Sequence, residues 1–425
     1  MKKIVIFGAG KIGRSFIGQL FSLSGYKVVF VDVFEPVINE LNSRKEYNVI
    51  IKSDNPDKII RVQNVSGILV TNEAQVAEEL SSCDIAAISV GQNGLQKVVS
   101  LVAKGLVLRQ KKYGHKPLDF ILAENMRNAD IFVKDLLRKQ LSSDYPLDEL
   151  VGLIETSIGK MVPIMTKQEQ EKDLLTVYAE PYNTLILDKN AFKNPIPQVN
   201  GLAPKENIKA WVDRKSYIHN FGHAAAAYAG FQFDPSLRYL ADVLKIPSVE
   251  KFTREAMIES AQVLIQKYPG EFTIIDLTNH IDDLLFRFKN KALGDTVFRV
   301  GCDLTRKLSK NDRILSPLVD GIQINLSINK MRLTVIPYQF PSSIQPNLTI
   351  NKMIKTFIYG LHFKACNENG KMFPSDLEFH NTLQAKGLYY ILQNICGLDR
   401  SANFEVIELI KSYDVEIVLN GFSVN

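Results

Sequence analysis

An α/β architecture, with a doubly wound parallel sheet in the N-terminal part and a mostly α-helical C-terminal part, is what this sequence predicts. Three observations lead there. Short apolar, β-rich runs alternate with helical patterns as far as about residue 200. Beyond about Pro195 the strands give way to amphipathic helical stretches. A glycine-rich turn joins the first apolar run to the first helical pattern.

Taken in order, Lys3–Gly8 (KIVIFG) reads as a buried strand, residues 12 to 24 as a helix, and Lys27–Asp32 (KVVFVD) as a second strand. Ile68–Thr71, Ile85–Val90 and Phe120–Ala123 are further strands. Continuous apolar runs of this length suit a parallel sheet covered by helices on both faces. Leu150–Thr156 and the stretch Leu174–Leu187 add strands before the first domain ends. Residues 193 to 204, with Pro195, Pro197, Gly201 and Pro204, read as a linker, so the expected domains are 1–195 and 196–425. In the second, Asn207–Ala229 carries Trp211, Ile218, Phe221, Ala225 and Tyr228 near helical spacing. Ser248 is a candidate cap for a helix stopped at Pro269-Gly270. Thr273 is a candidate cap for a helix with Ile274, Leu277, Ile281, Leu284 and Phe288 on one face, and Leu377–Cys396 is a further helix.

Composition removes several function classes. With 425 residues the chain has room for two or three domains, and its 46% hydrophobic and 23% charged content is that of a globular protein, not a disordered one. Its 51 basic and 46 acidic residues leave a net charge of +5, too mild and too dispersed for nucleic-acid binding, though compatible with a local pocket for an anionic small molecule. The four cysteines, Cys83, Cys302, Cys366 and Cys396, form no CxxC pair, so neither a zinc site nor a disulfide framework is signalled. No apolar run is long enough to span a bilayer, and the run after Lys2-Lys3 breaks at Gly8, too early for a secretory signal. The expectation is a soluble, reduced, cytoplasmic chain without membrane contact.

The first chemical motif is Gly8-Ala9-Gly10-Lys11-Ile12-Gly13, a GxGxxG that leaves a strand and opens a helix. Gly8 permits the tight turn, Gly10 lets a pyrophosphate approach the backbone, and Gly13 lets helix and strand pack closely. With Lys11 and Ile12 these glycines place free N–H groups and a positive dipole end at the phosphates. Asp32 ends the second strand, where a carboxylate accepts both ribose hydroxyls of NAD and repels the 2′-phosphate of NADP. No arginine occupies positions 33 to 35, so the Rossmann-like domain is expected to take NAD. A plain glycine turn beside a surface aspartate is the alternative. Gly91, after a later strand, falls at the same edge and reads equally as an ordinary strand-ending glycine.

The second motif is Arg214-Lys215-Ser216-Tyr217-Ile218-His219-Asn220-Phe221-Gly222-His223. On an α-helix, with Lys215 at zero, His223 falls near about 80° and Asn220 near about 140°, so all three face one side. A lysine is a base near neutrality if burial or nearby positive charge lowers its pKa, and an asparagine can donate to a developing alkoxide. Taken singly, Lys215 reads as readily as a solvated surface lysine, His223 as a satisfied core histidine, and Asn220 as a helix-surface amide.

Together the residues resemble the polyol-specific long-chain dehydrogenases. The resemblance runs nearly end to end: FGAGKIGRSFIG, SVGQNGLQKV, AENMRNA at 123–129, NIKAWVDRKSYIHNFGHAAAAYAG, RFKNKALGDTVFRVGCDLTRKLSKNDRILSP at 287–317, and TLQAKGLYYILQNICGLD at 382–399. It implies a metal-independent, NAD-dependent oxidoreductase that interconverts a sugar alcohol and a ketose, foremost mannitol 1-phosphate and fructose 6-phosphate. Lys215 falls on the family's general base, Asn125 and Asn220 on its oxyanion donors, and His223 on its substrate-orienting histidine. Arg299 and Lys307 match positions that reach the substrate, or alternatively are helix charges paired with Asp295 or Asp303. The resemblance also implies a monomer without a macromolecular partner. Relatives acting on mannitol, altronate or mannonate, and a non-catalytic NAD-binding sensor, are the competing functions. One departure bears on the substrate: where the family often has an acidic-basic pair, this chain has Gly159-Lys160.

Overall fold

The computed structural model describes residues 1–53, 55–334 and 348–421, with side chains left undescribed at 328–334 and 420. The chain divides into two compact units, Met1–Val212 and Asp213–Asn425.

Among the described residues of the first unit eleven strands form along the chain: β1 (Lys3–Phe7), β2 (Lys27–Asp32), β3 (Glu46–Ile51), β4 (Lys58–Gln63), β5 (Val65–Leu69), β6 (Ile85–Ile88), β7 (Leu118–Leu122), β8 (Val151–Ser157), β9 (Val177–Ala179), β10 (Leu185–Asp188) and β11 (Leu202–Lys205). Eight make one sheet in the order β11-β10-β8-β7-β6-β1-β2-β5. The run from β8 to β5 is parallel, and β10 turns antiparallel against β8. Alternate residues of β1 explain why it is apolar throughout. Ile4 and Ile6 join a core with Phe16, Phe30 and Tyr47, whereas Val5 and Phe7 join another with Leu80, Val102 and Leu106. A strand buried on both faces has no polar face to show. Chain order reverses at β1, flanked by β6 and β2, which creates the switch point where open α/β sheets bind ligands at the carboxyl ends of their strands.

Two expectations need correction. The segment 193–204 is no free linker, because Leu202–Lys205 pairs in parallel with Leu185–Asp188 as the sheet's edge, and the division of units falls after Val212 rather than Pro195. Leu174–Leu187 adds strands as expected, and they enter two sheets. Its first strand, β9, pairs with β3, which with β4 forms a separate three-stranded sheet. Ser248 is not a cap: Pro247 occupies the first turn of Pro247–Lys267, after Ile246.

The second unit is helical. Ile208–Arg214 begins before the division and leads through Lys215–Asn220 into Phe221–Phe233, a helix apolar around nearly its whole circumference and buried accordingly. Pro247–Lys267 packs against it closely enough that a Cβ on Gly222 would lie 2.4 Å from the Met257 sulfur. Thr273 caps Ile274–Phe288 through the Asp276 amide at 3.1 Å, as expected. Leu315–Thr334, Asn351–Leu361, Pro374–Tyr390 and Phe404–Asn420 complete the described helices of ten or more residues. Among the described residues no helix is long and apolar enough to cross a membrane.

Candidate active site

At the carboxyl edge of the first unit's sheet, the glycine turn is built as its spacing demands. Gly8 adopts φ +102°, and a Cβ there would lie 2.2 Å from the Ser89 carbonyl oxygen. At Gly13 a Cβ would lie 2.0 Å from the Gly8 carbonyl oxygen. Gly10 differs: nothing lies within 4 Å of a Cβ there, so its glycine serves no internal packing. Gly10 and Lys11 are exposed, and the helix opens at Lys11, its first backbone bond running from the Arg14 N–H to the Gly10 carbonyl at 3.0 Å. That combination fits a dinucleotide pyrophosphate. Arg14 fixes the turn from beneath, with Nε donating to the Ala9 carbonyl at 2.7 Å and Nη1 to those of Leu174 and Leu175 at 3.0 and 2.6 Å.

Asp32 ends β2 half-buried beside this turn. Its Oδ2 accepts from the Ala9 N–H at 2.6 Å and its Oδ1 from the Phe34 N–H at 2.9 Å. The carboxylate therefore shapes the turn, and its remaining lone pairs suit ribose hydroxyls. Gly91, φ +75°, caps Gln92–Tyr113, and a Cβ on it would also meet nothing within 4 Å. Its N–H and that of Val90 donate to Glu124 Oε1 at 3.0 and 2.8 Å, and burial pushes the Glu124 carboxyl above its ordinary range. Asn125 follows directly, exposed, in the loop after β7. Beyond it the N–H groups of Asn128 and Ala129 donate to Glu155, whose carboxyl is raised by burial and then by nearby Asp130. Two carboxylates thus anchor the loop that carries Asn125.

In the second unit Lys215–Asn220 is one turn of π-helix set between two α-helices. Such a turn closes i→i+5 bonds and recurs at functional sites. The Phe221 N–H reaches back to the Ser216 carbonyl, and the Tyr217 carbonyl accepts from Ser260 Oγ at 2.7 Å on the packed helix. The α-helical angles of the expectation therefore do not hold on this turn, whose i→i+5 bonding widens the helix and changes the spacing between Lys215 and Asn220.

The Lys215 amine is held down to about 7 by burial first, then by Arg313 and Arg306, with Asp312 opposing. Arg306 and Arg313 both pair with Asp312, at 3.1 and 2.7 Å. His219 is buried, and burial pushes it well below the ordinary histidine range. His223 stacks on Phe288 with ring centres 4.7 Å apart, and its Nε2 lies 2.9 Å from Asp295 Oδ2.

The two expected cations are less available than their spacing suggested. Arg299 pairs with Asp295. Lys307 is 5% exposed, and its amine donates to the carbonyls of Val300, at 2.7 Å, and Cys302. Burial followed by Arg313 lowers that amine to about 8. Lys160 is likewise buried, its Nζ donating to the Tyr182 carbonyl at 2.8 Å and Asn183 Oδ1 at 2.9 Å. The residues that sequence reasoning did not single out are Arg14, Glu124, Asp312 and Arg313. Each stands inside a block that carries the family resemblance, but only Arg14, the one charge between Ile12 and Gly25, leaves a local signal that could have found it.

Residues 2–201 match the mannitol dehydrogenase Rossmann domain, and residues 207–340 the mannitol dehydrogenase C-terminal domain. The chain is 28% identical over 409 residues to mannitol-1-phosphate 5-dehydrogenase of Buchnera aphidicola subsp. Schizaphis graminum, covering 96% of this chain and 97% of the relative. It is 31% identical over 331 residues to the protein of that name from Buchnera aphidicola subsp. Acyrthosiphon pisum (strain APS), covering 77% and 84%. Among solved structures, Pseudomonas fluorescens mannitol 2-dehydrogenase, a ternary complex with NAD and D-mannitol, shares the fold with a TM-score of 0.69 at 15% identity, over 99% of this chain and 92% of that one. Substrate-free D-sorbitol dehydrogenase shares it with a TM-score of 0.71, also at 15% identity, over 97% and 93%. The chain belongs to the mannitol dehydrogenase family, a class of oxidoreductases.

Proposed function

We propose that this protein is an NAD-dependent dehydrogenase interconverting mannitol 1-phosphate and fructose 6-phosphate, with Lys215 as general acid and base. The observation that carries the reading is the Lys215 amine, brought to about 7 on a π-helical turn that it shares with Asn220. A base is most effective when its pKa lies near the working pH. In the oxidative direction Lys215 takes the alcohol proton, while Asn125 and Asn220 donate hydrogen bonds to the oxygen as charge develops on it. His223 holds a neighbouring hydroxyl. In the reductive direction the protonated amine returns the proton and the asparagines polarise the ketose carbonyl. NAD supplies the hydride acceptor, and NADH the donor; Gly8, Gly10, Lys11, Ile12, Gly13 and Gly91 hold the dinucleotide, and Asp32 selects it over its 2′-phosphorylated form. The two relatives described above, which carry the name mannitol-1-phosphate 5-dehydrogenase, support the phosphorylated substrate.

A second reading, a neutral polyol such as mannitol, is favoured by one observation: Arg299 and Lys307 are engaged with Asp295 and with backbone carbonyls. A spectrophotometric panel separates the two. Oxidation of NADH is followed with fructose 6-phosphate, fructose, tagaturonate and fructuronate, each repeated with NADPH. Fructose 6-phosphate with NADH should give the highest kcat/KM; preference for fructose would install the second reading, and no oxidation with any ketose would remove both.

A further inference from the structure

Resting on the reading of His223 as a substrate-contacting residue, we propose that Asp295 is a positioning residue, one buried carboxylate that sets the tautomer and orientation of His223 and turns Arg299 with it. His223 Nε2 stands 2.9 Å from Asp295 Oδ2, and Arg299 pairs with the other oxygen, Oδ1, from one helical turn further on. Asp295 is 7% exposed, so its charge depends on these partners for compensation. Its backbone is held on both sides. The Asp295 carbonyl accepts from the Leu240 N–H at 2.9 Å, and Thr296 caps Val297–Gly301 through the Arg299 N–H at 3.1 Å.

An ionised carboxylate only accepts, so the nitrogen facing it must carry the hydrogen. The neutral His223 ring is therefore the Nε2–H form, with its lone pair on Nδ1. Phe288 prevents the ring from tipping, stacking on it at 22° between planes. Arg299 pairs with the same carboxylate, which links it to the group that holds His223.

The test compares wild type, Asp295→Asn and Asp295→Glu as full-length proteins. Nitrogen-15 NMR of labelled imidazoles is assigned with His223→Gln, and kinetics use NADH and the ketose that wild type reduces best. Wild type should show the Nε2–H form. In Asp295→Asn an amide able to donate to Nε2 should shift the ring toward Nδ1–H. It should also lower kcat/KM by roughly 100-fold, the scale of a small misplacement at a reacting centre, with NADH affinity unchanged. Asp295→Glu should keep the Nε2–H form and recover part of the rate. An Nδ1–H form in wild type, or an Asp295→Asn protein with wild-type tautomer and kinetics, would overturn the proposal. If wild type reduces none of the ketoses, the functional reading falls, while the spectrum still decides whether Asp295 sets the ring.

Discussion

Lys215 must release a proton near neutrality, which a lysine in water does not do. Its surroundings solve this by making the charged form expensive: burial comes first, and Arg313 and Arg306 add repulsion. The consequence for rate follows from the sign. Alcohol oxidation needs the neutral amine, so its kcat/KM should rise with pH up to about 7 and then level. Ketose reduction needs the protonated amine and should fall above that point. Lys215→Ala should remove this limb and lower kcat by roughly 10²–10⁴-fold, while a fluorescence titration still shows NADH binding; near-native turnover would end the assignment. Stability carries the opposite mark. The unfolded chain binds this proton more tightly than the folded one, so the penalty is full below about 7 and fades toward the ordinary lysine value. Lys215→Met should therefore melt higher than wild type at pH 6, a difference that shrinks in alkali. Asp32 offers a second residue-level test. Asp32→Asn retains an acceptor for the Ala9 N–H but loses the charge, so the turn should persist while discrimination against NADPH narrows. An unchanged ratio of NADH to NADPH affinity would mean that another group reads the ribose.

At the scale of an element, the glycine turn separates two reasons for a missing side chain. Gly10→Ala should leave the melting temperature nearly unchanged and weaken NADH binding, because its Cβ enters open space. Gly13→Ala should destabilise the fold by roughly 1–3 kcal/mol, because its Cβ would collide with the Gly8 carbonyl. Calorimetry with a NADH titration checks both. The π-helical turn is tied to its neighbour, so Ser260→Ala, which removes the Oγ donor to the Tyr217 carbonyl, should cost about 0.5–1.5 kcal/mol in urea unfolding. The elements legible in the sequence were the ones whose physics is local. β1, β2, β6, β7 and β8 are apolar runs buried on both faces, and Thr273 is a cap with its N–H three residues away. β3 alternates buried and half-buried residues and β4 is largely exposed, so neither stands out from a loop until they pair with each other. β9 lies inside the stretch Leu174–Leu187 that reads as strand, but its place in a separate sheet comes from a partner far away in sequence. The π turn leaves no mark in composition, since one inserted residue changes the register and not the residue types. The expectation for Lys215, Asn220 and His223 rests on their spacing inside a block that carries the family resemblance. The engagement of Arg299 and Lys307 was not legible, because it depends on where carbonyls and carboxylates fall in space.

For the molecule as a whole, chain order and spatial order disagree within the first unit. Val49–Ile51 of β3 pairs with Val177–Ala179 of β9, and the sheet's last strand is Leu202–Lys205. Parallel pairings between distant segments form slowly because a long loop must close before any contact forms. On the ribosome, then, the amino-terminal half has no early finish. While residues 64–176 are being synthesised, one side of β3 stays without its partner strand, a bare edge open to misassociation and a reason for a holdase to attend this nascent chain. Stalled chains that have not yet exposed Ala179 should be digested readily by a protease, whereas those displaying Lys205 should yield a resistant amino-terminal fragment.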